Sequence, residues 1–170
     1  MLFRSGVRGA PAWSPDGKWI AVAADEGEGG RLFKVPLDGG PPIRIVDELA
    51  LNPVWSPDGR LIVYSGPSVG GQALLKAVTM EKQLFPLPDL RVLGEGNRYR
   101  FLPRRNALVV MQGPARSQNF WLLDLSTGRL RRLTNLRPGS LVKGFDVSPD
   151  GKQIVFDRLR ENSYIVLIDR

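Results

Sequence analysis

The 170-residue sequence predicts an all-β fold built from four repeated units. A hexapeptide, aromatic-Ser-Pro-Asp-Gly-Lys/Arg, occurs at residues 13–18 and 55–60, and again at residues 147–152 with valine in place of the aromatic residue. A degenerate fourth copy with Pro103 lies midway between the second and third, so the copies recur about every 46 residues. Each copy precedes a short apolar stretch rich in β-branched or aromatic residues, which is typical of a buried strand.

Each hexapeptide predicts a tight turn between two strands. Proline presets φ at the second turn position, and the glycine after aspartate tolerates a positive φ. The aspartate that recurs in every clear copy is therefore predicted to be a turn residue rather than a catalytic carboxylate. In the degenerate copy at residues 101–106, glycine and lysine are replaced by arginine and asparagine. We expect Asn106 to permit a looser turn, because asparagine tolerates the left-handed region better than most residues.

The remaining strands follow in the same order in every unit. The second strand is predicted at residues 19–23, 61–64, 107–111 and 153–156. After a glycine-rich or polar gap, the third strand is predicted at residues 32–35, 74–78, 120–123 and 164–168. A more polar fourth strand is predicted at residues 43–46, 83–85 and 130–133. Its charge suits an outer edge, where it discourages edge-to-edge association.

Four-stranded units of this length are typical of β-propeller blades arranged around a central channel. The sequence predicts a single propeller domain with blades at residues 6–46, 47–88, 89–135 and 136–170. The last unit ends after its third strand, so we expect residues 1–5 to complete its outer edge. Trp13 and Trp55 precede their turns in matching positions and are predicted to pack in the core.

The repeated pattern resembles the WD-like propeller repeats of the TolB type. Similar repeats occur in the propellers of dipeptidyl-peptidase and tricorn-like proteases and of bacterial regulator proteins. The resemblance covers almost the whole chain and implies a non-enzymatic interaction or sensing module, which binds a protein or small ligand at the channel mouth. Two alternatives are an accessory propeller that filters substrates for a serine hydrolase outside this chain, and an isolated propeller fragment without independent function.

Propellers of this type usually have six blades or more, so four units do not by themselves show how a ring would close. There are three interpretations: a four-bladed monomer, a homodimer that completes an eight-bladed ring, and a piece of a longer protein.

No apolar run approaches the roughly 20 residues that a membrane helix needs, and residues 1–4 do not open a signal peptide. We therefore expect no membrane partner, and a cytoplasmic location by default.

The sequence contains neither histidine nor cysteine, which excludes Ser-His-Asp and Cys-His mechanisms within this chain. Residues 66–70 match the hydrolase pattern Gly-x-Ser-x-Gly, but that pattern needs a strand-to-helix turn and a histidine partner. Asp25, Glu26 and Glu28 share one gap and carry the oxygen ligands that Ca²⁺ prefers, yet their spacing matches no calcium loop. We predict a protein that is not an enzyme, with no metal and no cofactor.

The basic charge is concentrated in one part of the chain. Residues 91–143 hold eleven Lys/Arg and two acids, whereas the rest holds thirteen bases and fifteen acids. Such a surface can meet an acidic protein, a phosphate-bearing ligand or nucleic acid. Because these arginines scatter over strands and both kinds of loop rather than lining one groove, we favour a protein partner or an intersubunit contact over nucleic acid.

Propeller ligands usually meet the channel mouth, which is formed by the loops entering each innermost strand and by the gaps between second and third strands. Basic residues in or beside these loops are the candidate binding residues. They are Arg8, Arg98, Arg116, Arg137, Lys143, Arg158 and Arg160.

Overall fold

The computed structural model describes residues 6–25, 29–94, 96–139 and 141–159, and this part of the chain is all-β. The first sheet contains β1 (Val7–Trp13), β2 (Trp19–Asp25), β3 (Gly30–Pro36) and β4 (Ile43–Val46). The second contains β5 (Leu51–Trp55), β6 (Leu61–Val69), β7 (Gln72–Thr79), β8 (Leu84–Phe85) and β9 (Arg91–Leu93). The third contains β10 (Tyr99–Phe101), β11 (Ala107–Gln112), β12 (Asn119–Asp124) and β13 (Leu130–Arg132), and the fourth contains β14 (Phe145–Val147) and β15 (Ile154–Phe156).

The first three sheets are antiparallel meanders in which, apart from β9, each strand pairs with the next along the chain. The all-β class and the repeated four-stranded sheets predicted from the sequence are confirmed. β9 was not predicted; it pairs with the first half of β7, while β8 pairs with the second half. The predicted strand at residues 164–168 and the predicted closure by residues 1–5 lie outside the described residues.

The repeated turns share one hydrogen-bond pattern. In the second copy, Ser56 Oγ donates to Asp58 Oδ1 at 2.6 Å and accepts from the Leu61 N–H at 2.9 Å. Asp58 Oδ1 also accepts from the Arg60 N–H at 3.1 Å. Burial alone would raise the pKa of Asp58, but these hydrogen bonds outweigh it and lower the pKa. The same bonds recur in the turns at residues 14–19 and 148–153, so the repeated aspartate is structural.

The degenerate turn differs from the prediction. Its left-handed residue is Arg104, with φ of 59°, whereas Asn106 has no positive φ. The Arg105 N–H still bonds the Leu102 carbonyl, at 3.3 Å, and this bond corresponds to the glycine-to-serine bond of the clear copies. The turn therefore closes without glycine because the positive φ moves one residue towards the proline.

The core lies between consecutive sheets. Side chains alternate across each strand, so one face of a sheet packs on the preceding sheet and the other on the following sheet. Trp55 shows this packing: it is 9% exposed, belongs to the cluster that contains Ala21 of the first sheet, and donates its Nε1–H to the Ala12 carbonyl at 3.0 Å. β10 is tied to β5 in the same manner, because the buried Tyr99 hydroxyl donates to the Asn52 carbonyl at 2.7 Å.

The prediction of a core position holds for Trp55 but is wrong for Trp13, which is 63% exposed. Trp13 pairs with Ile20, as Trp55 pairs with Ile62, so the two tryptophans occupy the same face of their sheets. That face of the second sheet is covered by the first sheet. Within the described residues, the side chain of Trp13 has no comparable neighbour.

Candidate functional site

A cleft of about 590 Å³ lies at the end of the sheets opposite the Ser-Pro-Asp-Gly turns. At this end the chain enters each innermost strand, and the second and third strands are joined by hairpins. The cleft, here called the mouth cleft, is lined by segments of the second, third and fourth repeats. Its lining includes Ser68 and Gly71 of the β6–β7 hairpin, Gly96 and Arg98 before β10, Ala115 of the β11–β12 hairpin, and Leu141 and Lys143 before β14.

Arg98 is the buried base of the mouth cleft. It is 5% exposed, and its Nη1 donates to Gln118 Oε1 at 3.1 Å and to the Val142 carbonyl at 2.6 Å. Its own carbonyl accepts from the Met111 N–H at 2.8 Å. Arg98 therefore links the entrance of β10 to the loops that flank β12 and β14. The buried Nε2 of Gln118 has no hydrogen-bond partner among the described residues, which leaves its two N–H donors unused.

Lys143 is exposed, and its backbone is fixed on two sides. Gly96 has a φ of +78°, and a Cβ at this position would lie 2.2 Å from the Lys143 carbonyl oxygen. Only glycine permits this approach. On the other side, Asp157 Oδ1 accepts from the N–H groups of Lys143 and Gly144, at 2.7 and 3.1 Å. These contacts hold the loop before β14 against the mouth cleft.

Three further candidate arginines lie beside the mouth cleft, and all three are exposed. Arg116 follows the lining residue Ala115, and its carbonyl accepts from the Gly139 N–H at 2.8 Å. Arg158 donates to the Arg137 carbonyl at 3.4 Å, and the neighbouring Leu159 forms a β-bridge with Leu141, which lines the cleft. The loop before β14 is thus joined both to the β11–β12 hairpin and to the segment after β15.

The remaining two candidates stand apart. Arg8 lies on β1, away from the mouth cleft, and its Nε is 2.6 Å from Asp25 Oδ2. Arg160 lies outside the described residues, as do Glu26 and Glu28. Among the described residues, no group of three or more Asp, Glu, His or Cys side chains could hold a metal ion.

Several residues that line or support the mouth cleft were not predicted from the sequence. Ser68, Gly96, Gln118 and Asp157 were not candidates, although glycines at 94 and 96 could have indicated a close backbone approach. Ser68 belongs to the Gly-x-Ser-x-Gly match, but β6 continues through Val69 into a hairpin with β7. This is not the strand-to-helix turn that a catalytic serine of that pattern requires.

The opposite end of the first two sheets carries a second cleft of about 460 Å³. It lies between the turns of the first and second repeats and includes Asp16 and Asp58, whose oxygens already accept hydrogen bonds within the turns. The Lys34 Nζ lies 4.7 Å from the centroid of the Trp19 ring at this cleft. Because its two carboxylates are used by the repeated turns, this cleft is a weaker candidate for ligand binding.

Successive four-stranded antiparallel sheets, packed face to face and carrying repeated turns at one end, define a β-propeller protein. A family model, the TolB beta propeller domain, matches residues 3–169. The chain belongs to this family. No helix in the described part of the chain has the length and apolar character to cross a membrane.

Solved structures share the same fold. TolB from Acinetobacter baumannii is 25% identical, with a TM-score of 0.71 over 94% of this chain and 39% of that chain. A putative TolB from Agrobacterium tumefaciens is 24% identical, with a TM-score of 0.67 over 91% of this chain and 54% of that one. A structure of prolyl endopeptidases matches at 19% identity and a TM-score of 0.69, over 94% of this chain and 25% of that one.

This chain therefore spans well under two thirds of the length of these structures. The matches include TolB and peptidase structures. No relative matched among curated protein sequences.

Proposed function

We propose that this chain is a non-enzymatic interaction module that binds a protein or small ligand at the mouth cleft. The observation that carries the proposal is the number of basic residues in and beside one cleft. Arg98 and Lys143 line it, and the exposed Arg116, Arg137 and Arg158 lie beside it. A cleft with this excess of cationic donors suits a ligand that presents carboxylate or phosphate groups.

The two lining bases have different roles in the proposal. Arg98 is held by Gln118 and by the Val142 carbonyl, so its planar guanidinium is already oriented before a ligand arrives. Lys143 is exposed, and therefore acts as a charge on the rim. Mutation of a rim charge weakens binding mainly by slowing association, whereas removal of a buried, paired charge weakens it mainly by speeding dissociation.

Fluorescence polarisation with a labelled hexaglutamate peptide tests the proposal, with inorganic phosphate and citrate as competitors. We expect binding that weakens about tenfold in Lys143→Glu and in Arg116→Glu, since tenfold corresponds to about 1.4 kcal/mol, an ordinary cost for a reversed charge. Arg105→Glu is the matched control, because Arg105 is an exposed arginine of the same basic repeat at the opposite, turn-bearing end.

Two outcomes would overturn this proposal. If none of the acidic probes binds, the mouth cleft is not an anion-recognition site, and the alternative of a fragment without independent function is favoured. If Arg105→Glu weakens binding as much as Lys143→Glu, the attraction comes from the net charge of the chain and not from the cleft.

An accessory role beside a serine hydrolase is the second candidate function. It is motivated by structural matches to prolyl endopeptidases and to a puromycin hydrolase, both at 19% identity, a level that establishes the fold alone. This candidate predicts a hydrolase domain in the same polypeptide or encoded beside it. Sequencing the neighbouring coding region decides between the two functions.

A further inference from the structure

The outer edge of the third sheet is an unpaired strand edge. β13 is the last strand of its sheet, and its hydrogen bonds with β12 and the residues beside it include the Arg129 carbonyl, at 2.9 Å, and the Leu133 N–H, at 2.8 Å. Along an antiparallel strand, residues that bond the neighbouring strand alternate with residues that do not. The N–H and C=O groups of Leu130 and Arg132 therefore point away from β12, and no other strand of the described residues pairs with them.

The outer edges of the first two sheets are protected in ways that β13 is not. Prolines lack the N–H that pairing needs; they precede β4 at positions 41 and 42 and lie between β8 and β9 at positions 86 and 88. The arginines on these edges are also paired, because Arg44 lies 2.8 Å from Asp47 and Arg91 lies 3.7 Å from Asp89. Residues 115–137 contain no proline, so the backbone of β13 is open to a further strand.

The exposed residues 129–132 carry three arginines and no acid. Asp124 is the single acidic residue between positions 96 and 145, and its Oδ1 accepts hydrogen bonds from the N–H groups of Ser126 and Thr127. Within the described part of the chain, neither Arg129 nor Arg131 forms an ion pair. This edge, here called the basic edge and consisting of residues 129–132, is therefore a strip of uncompensated positive charge.

The side chains of the basic edge alternate between two faces. Arg129 and Arg131 share one face, whereas Leu130, which is 37% exposed, shares the other with Arg132. The Arg132 guanidinium is already engaged, because its Nε donates to the Thr134 carbonyl at 2.7 Å. A strand laid beside this edge would thus meet two available arginines on one face and an apolar side chain on the other.

We propose that the basic edge binds an extended segment of a partner protein in which acidic residues alternate with apolar residues. The segment adds as a further strand that bonds the outward N–H and C=O groups of Leu130 and Arg132. Its acidic side chains face Arg129 and Arg131, and an apolar side chain packs on Leu130. The basic edges of two copies repel each other, so the charge favours an acidic partner over a second copy. No residue of β13 is among the described residues that line the mouth cleft, so this is a separate surface.

Fluorescence polarisation tests the proposal with a labelled peptide in which glutamate and valine alternate, compared with a peptide of the same composition whose glutamates precede its valines. We expect the alternating peptide to bind more tightly, and Arg131→Glu to weaken its binding about tenfold. Arg105→Glu is the matched control, because Arg105 is an exposed arginine of the same repeat outside the basic edge. Equal binding of the two peptides would overturn the proposal. So would a loss in Lys143→Glu as large as in Arg131→Glu, because the peptide would then occupy the mouth cleft.

Replacing Leu130 with proline or alanine separates backbone pairing from charge. Leu130→Pro removes an N–H that is not used within the sheet and should weaken binding by at least about tenfold. Leu130→Ala keeps that N–H and should weaken binding about twofold, through the lost side-chain contact. Circular dichroism checks that both variants are folded, and equal losses in the two would refute strand addition.

Amide hydrogen exchange followed by NMR tests the pairing in the unmodified chain. We expect the alternating peptide to slow exchange of the Leu130 and Arg132 amides by at least about tenfold, because these N–H groups become hydrogen-bonded. The Arg131 amide, which faces β12, is the internal control. Binding without slower exchange at Leu130 and Arg132 would overturn the proposal.

Discussion

Replacing Ser56 with alanine tests whether the repeated turn depends on its buried serine. Ser56 is fully buried, and its Oγ bonds both the Asp58 carboxylate and the Leu61 N–H. Alanine removes both bonds and leaves the buried Leu61 N–H without a partner, which costs roughly 1–3 kcal/mol. We therefore expect Ser56→Ala to lower the free energy of unfolding by about 2 kcal/mol.

Ser148→Ala is the matched control because it removes the same bonds in a more exposed turn. The Gln153 N–H donates to Ser148 Oγ at 2.9 Å, the same length as in the second copy. Gln153 is exposed, so water can replace the lost hydroxyl. The loss in this variant should be clearly smaller than in Ser56→Ala.

Urea denaturation, monitored by tryptophan fluorescence, measures the loss of unfolding free energy in both variants, provided that the m-value is the same as in the unmodified chain. A loss of 2 kcal/mol in a chain of this size corresponds to a melting temperature lower by about 4–8 °C. Equal losses in the two variants would refute the argument, because burial of the donor would then have no effect.

Three further predictions follow from the same contacts. Gly96→Ala should lower the melting temperature more than Gly128→Ala. Both glycines have a positive φ, but of the two only Gly96 lies so close to a backbone oxygen that the new Cβ would be 2.2 Å from it. Hydrogen bonds lower the pKa of Asp58 below 3.8, so the stability it contributes is present above that value and is lost as the pH falls through the lower folded pKa. Asp58→Asn should therefore make unfolding less sensitive to pH between about 5 and 2. Trp55→Phe removes the hydrogen bond to the Ala12 carbonyl and should lower the free energy of unfolding in urea by about 1 kcal/mol. Trp13→Phe should have no measurable effect, because Trp13 is 63% exposed.

The sequence was sufficient to predict the structural features that are local and occur in every repeat. Turn chemistry and β-branched runs were enough to place the second and third strands of the first three repeats. β9 was missed because three residues are too few to show a period, and it pairs with a part of β7 that β8 leaves open. The exposure of Trp13 could not be predicted from its own repeat, because burial depends on which sheet lies next to it.

The candidate site was predicted only in outline. The loops of the channel mouth follow from strand order, which is why five of the seven basic candidates lie in or beside one cleft. Arg8 was placed with them because it lies near a mouth loop, but it is on a different blade and pairs with Asp25. The sequence alone could not show that Arg98 is buried, because its acceptors come from residues 20 and 44 positions away.

Comparison of equivalent positions in the four repeats separates residues that the fold requires from residues that it does not. Counting from the turn proline, the position of Arg98 is occupied in the other repeats by Ala10, Asn52 and Gly144. None of these is charged, so the propeller fold itself does not require a cation there. A buried guanidinium loses its hydration and must be compensated by acceptors, here Gln118 and the Val142 carbonyl. A costly residue at a position where the fold accepts alanine or glycine therefore supports the binding role proposed for Arg98, whereas the repeated turn residues are explained by the fold.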